Sequence, residues 1–168
     1  MPDSMIQIET YDEKTVSLML GGISLRARDL TPFFEKTASR IVSSSVRGNF
    51  LAGGRPPWKE LSLATQKQRK RLGFGAAAPI LRRTGKLMAS ASKKGDPDRV
   101  VEIKKDEMHI YSKLKVGKYF LAEIHQRGMG NNPARPMWLL QDVEVRKMIT
   151  GIRRHIIEGG GYELGFRS

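Results

Sequence analysis

Few residues of this chain have the types and spacing that chemistry requires. The clearest are Pro97-Asp98 followed by Glu102-Ile103-Lys104. In a basic protein, this order of two acids and a lysine points first to metal-dependent cleavage of nucleic acid. Read as a strand, the four steps from Asp98 to Glu102 cover about 13 Å. Carboxylates that share a divalent ion each place an oxygen about 2.0–2.6 Å from it. The pair closes on one ion only through a sharp bend, so the geometry argues against a nuclease. His109, His125 and His155 are 16 and 30 residues apart, with no metal-ligand spacing. His109 reads as a half-buried strand residue, and His155 as a residue near a helix C-terminus, where partial positive charge is favourable. Gly85-Lys86 is not a phosphate loop, because Ile80 stands where the first glycine belongs and Leu87 where Ser or Thr belongs. Gly128-x-Gly130 fails at Pro133 in the same way. No catalytic residue, metal site or cofactor is expected, and the chain reads as one that performs no reaction.

Charge is the stronger signal. Thirty Lys and Arg against 17 Asp and Glu give a net charge of +13, which favours polyanions or acidic protein surfaces as partners. The excess is concentrated: from Arg55 to Lys94 there are eleven Lys or Arg residues and a single acid, Glu60. One reading is a sequence-nonspecific nucleic-acid-binding protein working through residues 55–94. The plainer one is a solvated, self-repelling surface. With no cysteine in 168 residues, disulfides and thiol nucleophiles are excluded. No apolar run approaches the roughly 20 residues that span a bilayer. No leader is readable in the first residues, so the cytoplasm of the producing cell is the default expectation.

The elements that must carry these residues follow from periodicity. Met5–Glu9 and Val16–Leu20 alternate apolar and polar residues and predict a hairpin closed by Gly21-Gly22. Phe34, Ala38, Ile41, Val42, Ser45 and Val46 line one helical face, capped by Asp29 or Thr31 and ended by Gly48 and Asn49. Residues 50–57 read as a loop. Ser62 starts a polar helix from Leu63 to about Leu72, with Lys67, Arg69, Lys70 and Arg71 spread around it and little apolar face to bury. Thr84 caps a short helix through Leu87 and Met88. Val100–Ile103 and Met108–Tyr111 predict a second hairpin, and Lys118–Gln126 a short helix. From Asp142, Val145, Met148, Ile149, Ile152 and Ile156 form a last helical stripe, stopped by Gly159-Gly160-Gly161. The sum is one α+β domain over 1–168: an antiparallel sheet of about four strands, two long amphipathic helices on one side, and an extended basic arm or loop. Residues 50–80 read as a basic, partly flexible insertion that the core does not need, and residues 159–168 as a flexible tail.

Three phrases are more specific than any of this: Gly54-Arg55-Pro56-Pro57-Trp58-Lys59-Glu60-Leu61 with Thr65 and the basic helix, Ile80-Leu81-Arg82-Arg83-Thr84-Gly85-Lys86-Leu87 with Ser90, and Ile124-His125-Gln126-x-Gly128 leading to Pro133-Ala134-Arg135-Pro136-Met137. In that order and approximate spacing, over roughly residues 30–157, the chain resembles the virion-morphogenesis (tail-completion) family of Mu-like and related tailed phages. Met137 stands where that family usually has Phe and keeps an apolar anchor. The resemblance implies a structural virion protein of the head–tail junction, assembled in the bacterial cytoplasm. It would complete or terminate the tail as a ring, a hexamer by analogy, around the DNA channel. Its partners would be other copies of itself, connector or neck and tail-tube proteins, and genomic DNA passing through without sequence readout. Under that reading Arg55, Pro56, Pro57, Trp58 and Leu61 are candidates for a subunit interface, with Trp58 either anchoring an arm on the neighbour or folding back on its own core. Arg69, Lys70, Arg71, Arg82 and Arg83 are candidates for contact with DNA in the lumen or with an acidic partner. His125, Gln126 and Arg135 are expected to fix a turn, and Trp138 to pack internally.

Overall fold

The structure is a computed structural model that describes residues 12–75 and 79–159. Helix α1 (Glu13–Ala27) opens on Asp12, whose carboxylate accepts from the Thr15 amide at 2.8 Å, satisfying one of the donors that a helix start leaves open. The expected first hairpin is therefore corrected: Val16–Leu20 and Gly21-Gly22 lie inside this helix, while Met5–Glu9 falls outside the described residues. Val-Ser-Leu-Met-Leu alternates only over five residues. Its Leu and Met are good helix formers, and the Asp12 cap decides between the two periods.

The next helix is composite. α2 (Thr31–Phe33), a π-helical turn (Phe34–Ala38) and α3 (Ser39–Ala52) run on from Pro32 in the first turn to Gly53, which ends the helix in the left-handed conformation at φ 72°. The helix does not stop at Gly48 and Asn49 as expected, because Asn49 is more useful inside it: fully buried, it donates to the carbonyls of Met137 and Leu139, both at 2.9 Å. α4 (Leu63–Arg71) is capped by Ser62. α5 (Lys86–Ser92) starts from Gly85 rather than Thr84.

Strands β1 (Arg99–Ile103) and β2 (Met108–Ser112) pair antiparallel, with Val101 opposite Ile110. β3 (Lys115–Val116) and β4 (Tyr119–Phe120) form a second, smaller ladder. The strands thus make two separate two-stranded sheets instead of one sheet of four. α6 (Leu121–Arg127) and α7 (Asp142–Glu158) complete the chain. Gln141, not Asp142, is the N-cap of α7, in a capping box with Glu144. Counting the composite helix once, the described residues form six helices and four strands, a mixed α+β fold.

The packing runs sideways through the molecule: α1 on α7, α7 on α3, α3 on α5, and α5 on the β1–β2 hairpin. The short α5, with Leu87, Ser90 and Ala91 buried, is thus the hairpin's main cover, in place of the two long helices expected there. The core gathers Val46 and Phe50 of α3, Trp58, Leu87 and Ala91, Ala122 of α6, and Met137. Phe50 and Trp58 belong to the segment expected to be dispensable, yet they meet edge to face at the centre of this core, 5.5 Å between centroids.

Candidate functional site

The three diagnostic phrases converge on that core. Gly54, at φ 104°, lets the chain leave α3 directly under the indole: a Cβ there would lie 2.5 Å from Trp58 Cδ1. Trp58 is 6 % exposed, and its Nε1 donates to the Pro136 carbonyl at 3.1 Å. Gln126 Oε1 accepts from the amides of Met137 (2.8 Å) and Trp138 (3.2 Å). Gly128, at φ 74°, packs where a Cβ would meet the Ala134 amide nitrogen at 2.6 Å. Trp58, Leu87 and Met137, one from each phrase, share a single apolar cluster.

A polar clip holds the first phrase in place. Arg55 Nε donates to Asn49 Oδ1 (2.8 Å), Nη2 to the Ser45 carbonyl (2.9 Å) and hydroxyl (3.1 Å), and Nη1 to Glu144 Oε1 (3.2 Å). Gln141 Nε2 donates to the Arg55 carbonyl at 2.8 Å, and Glu144 Oε2 accepts the Gln141 amide at 2.9 Å. One guanidinium thereby ties α3 to the start of α7 with its charge matched.

Residues 59–61 help to line a cleft of about 900 Å³. Residues of α4, of 81–87, of 114–116 and of 130–135 line it, together with Leu121. Among the described residues Lys59, Arg69, Arg83, Lys86, Lys115 and Arg135 line it, against one carboxylate, Glu60. Arg135, 4 % exposed, is held from behind: Nε donates to the Lys59 carbonyl (3.0 Å) and Nη2 to that of Glu60 (3.1 Å). Arg69 is also buried, and its Nη1 donates to the Pro79 carbonyl at 3.2 Å. Burial, and then the nearby positive charge of Arg69, lowers the Arg135 pKa. Burial and Arg83 do the same to Arg69. Burial, then Arg135, lowers that of His125, whose Nδ1 is buried without a hydrogen-bond partner. The groups of this cleft thus disfavour one another's charge. Leu81, packed against the core, sits in the left-handed region at φ 60°, a strained conformation for a leucine of the kind that gathers at functional sites.

The residues singled out in the sequence scatter around these features. Of the interface candidates, Arg55 is engaged in the clip and Trp58 in the protein's own core. Pro56 and Pro57 are exposed and Leu61 is half-buried, facing the cleft. Of the basic candidates, Arg69 and Arg83 line the cleft, while Lys70 and Arg71 are exposed and Arg82 is half-buried. Arg83 lies over the Phe74 ring, 6.0 Å from its centroid. His109 is exposed rather than half-buried and contacts Glu107 at 3.1 Å. His155 is buried, its Nε2 2.9 Å from the Asp29 carbonyl. In the acid–lysine phrase, Glu102 accepts from the Tyr111 hydroxyl at 2.6 Å and Lys104 pairs with Glu107. Sequence reasoning missed Lys115 and the placement of Arg135 in the cleft, because only the fold brings residues 115 and 135 beside α4. Asn49 and Glu144 were missed as clip residues for the same reason, although Glu144 at the third position of α7 is a capping signal readable in advance.

One further surface stands out. α1 mixes apolar residues with Glu13, Lys14, Ser17, Ser24 and Arg26 and has no buried residue among its 15. Leu18, Met19, Leu20 and Leu25 are 56–70 % exposed. It rests on α7 through Arg26, whose Nε and Nη2 donate to the carbonyls of Ile156 (2.8 Å) and Ile157 (3.1 Å), filling acceptors that the helix end leaves open. Comparison with family models, with curated proteins and with solved structures returns no match to this chain.

Proposed function

We propose that the chain is a structural protein of the phage head–tail junction, acting as an oligomeric ring that completes or terminates the tail and performing no reaction. The observation that carries this reading is α1. Large apolar side chains seek cover, and here Leu18, Met19, Leu20 and Leu25 of α1 stand in solvent, as do Val145 and Ile149 of α7. Such a surface calls for cover from a second copy, and a ring supplies it through one repeated, closing contact. The segment 55–61 adds Pro56 and Pro57 to the exposed surface but contributes no aromatic anchor, because Trp58 is committed internally. In this reading the neighbours are connector and tail-tube proteins, the DNA passes through the lumen without sequence readout, and a hexamer is the stoichiometry argued by analogy.

Native mass spectrometry of the full chain, with the Leu18→Lys/Leu25→Lys double variant beside it, tests the proposal. The expected result is a closed oligomer that the variant reduces to monomers of unchanged helicity. A monomeric wild type, together with absence of the protein from purified virions, overturns it. A second reading, sequence-nonspecific nucleic-acid binding, is favoured by the exposed Lys67, Lys70 and Arg71 of α4. It requires tight duplex binding by the isolated protein, with affinity falling steeply as salt rises.

A further inference from the structure

We propose that the cleft between α4 and residues 130–135 is a receptor for an extended acidic segment of another protein. Its carboxylates seat on Arg83, Lys115 and Arg135, and its apolar side chains on Leu81, Leu114 and Leu121. The proposal stands apart from ring formation and holds whether the protein is a monomer or a ring.

Charge is the first argument. Six basic side chains face one carboxylate across about 900 Å³, and Arg135 has already lost most of its water. The Lys59 and Glu60 carbonyls hold that guanidinium in place before anything binds, so little ordering is left for the ligand to drive. A carboxylate arriving there relieves the mutual repulsion of the cluster and makes charge-assisted hydrogen bonds of the stronger kind.

Shape and lining decide the class of ligand. Leu81, Leu114 and Leu121 are packed against the central core and also reach the cleft, giving apolar seats between the charges. That alternation suits a peptide, whose side chains face two ways along an extended backbone. A nucleic-acid strand would want broad aromatic faces for its bases, and no Phe, Tyr or Trp lines the cleft among the described residues. A duplex, convex and stiff, does not fill a concave cleft of this kind.

The ligand is assigned to a different protein. Among the described residues the longest acidic runs are the pairs Asp12-Glu13 and Asp106-Glu107, each next to a lysine and each built into the fold, at the start of α1 and between β1 and β2.

The test uses the full-length protein and fluorescence anisotropy at about 0.15 M salt. The probes are a labelled, end-blocked octapeptide of alternating glutamate and leucine, its lysine–leucine counterpart, and a labelled DNA duplex. The glutamate peptide is expected to bind and the lysine peptide not to. Arg83→Glu with Lys115→Glu, both exposed positions, is expected to weaken binding by at least about tenfold at an unchanged Tm. Lys36→Glu, exposed on the composite helix, is expected to leave binding as it was. Arg83→Gln alone repeats the measurement without reversing a charge, should the double variant lose structure. Absence of binding by the wild type overturns the proposal, as does equal binding by the cleft variants and the wild type. A duplex that displaces the peptide and loses affinity in the same variants assigns the cleft to phosphates and overturns it as well.

Discussion

Arg55, half-buried, and Arg135, buried, lie about 80 residues apart in sequence and are treated differently. Arg55 meets a carboxylate, an amide oxygen, a hydroxyl and a carbonyl. Arg135 meets two backbone carbonyls and neighbours of its own sign. A buried charge is costly unless its counter-charge is buried with it. The clip supplies the counter-charge from within, in Glu144. The cleft leaves that place for something else, and this difference separates a group that holds the fold from one poised to bind.

The sharpest way to break this comparison is to give both arginines the same substitution. Arg55→Met takes the partner from Glu144 Oε1, half-buried, and from the fully buried Asn49 Oδ1, and is expected to cost about 2 kcal/mol of unfolding free energy in urea titration. Arg135→Met removes a desolvated charge and two hydrogen bonds together, and is expected to cost about 1 kcal/mol or less while lowering affinity for the acidic octapeptide. Equal losses would show that both arginines are structural. Smaller still is the effect of Arg83→Glu with Lys115→Glu, which should move stability by no more than about 0.5 kcal/mol.

The smallest effect is a pH dependence. Burial and Arg135 hold the His125 pKa below the ordinary 6.5, so the unfolded chain takes up this proton before the folded one does. Stability is therefore undiminished by His125 above about pH 6.5 and falls as pH drops through the window between that value and the lower folded pKa. The urea midpoint should fall more between about pH 7 and about pH 5 in wild type than in His125→Gln. Adding the acidic octapeptide, which offsets Arg135, should narrow that gap. A gap of the same size with the peptide bound would place the peptide elsewhere.

How much of this was legible follows from how local each feature is. The β1–β2 hairpin and the polar helix α4 with its Ser62 cap were readable because alternation, capping and helix propensity act within a few residues. The first hairpin was misread over Val16–Leu20 because five residues fit either period, and the cap that decides lies just upstream. The end of α3 was misread at Gly48-Asn49 because both residues weaken an isolated helix, whereas Asn49 serves carbonyls 88 and 90 positions away. Tertiary need overrode propensity there.

The candidate site divides along the same line. Sequence alone determined that the chain is strongly basic, that the excess lies in residues 55–94, and that three phrases surround Trp58, Leu87 and Met137. Charge is additive along a chain, and those phrases are contiguous. Only the tertiary structure decided which cations matter. It turned Arg55 inward onto Glu144, committed Trp58 to the core, left α1 uncovered, and brought Lys115 and Arg135 across from α4 with a single acid among them. Whether a charge is matched depends on distance in space, and only the packed chain sets those distances.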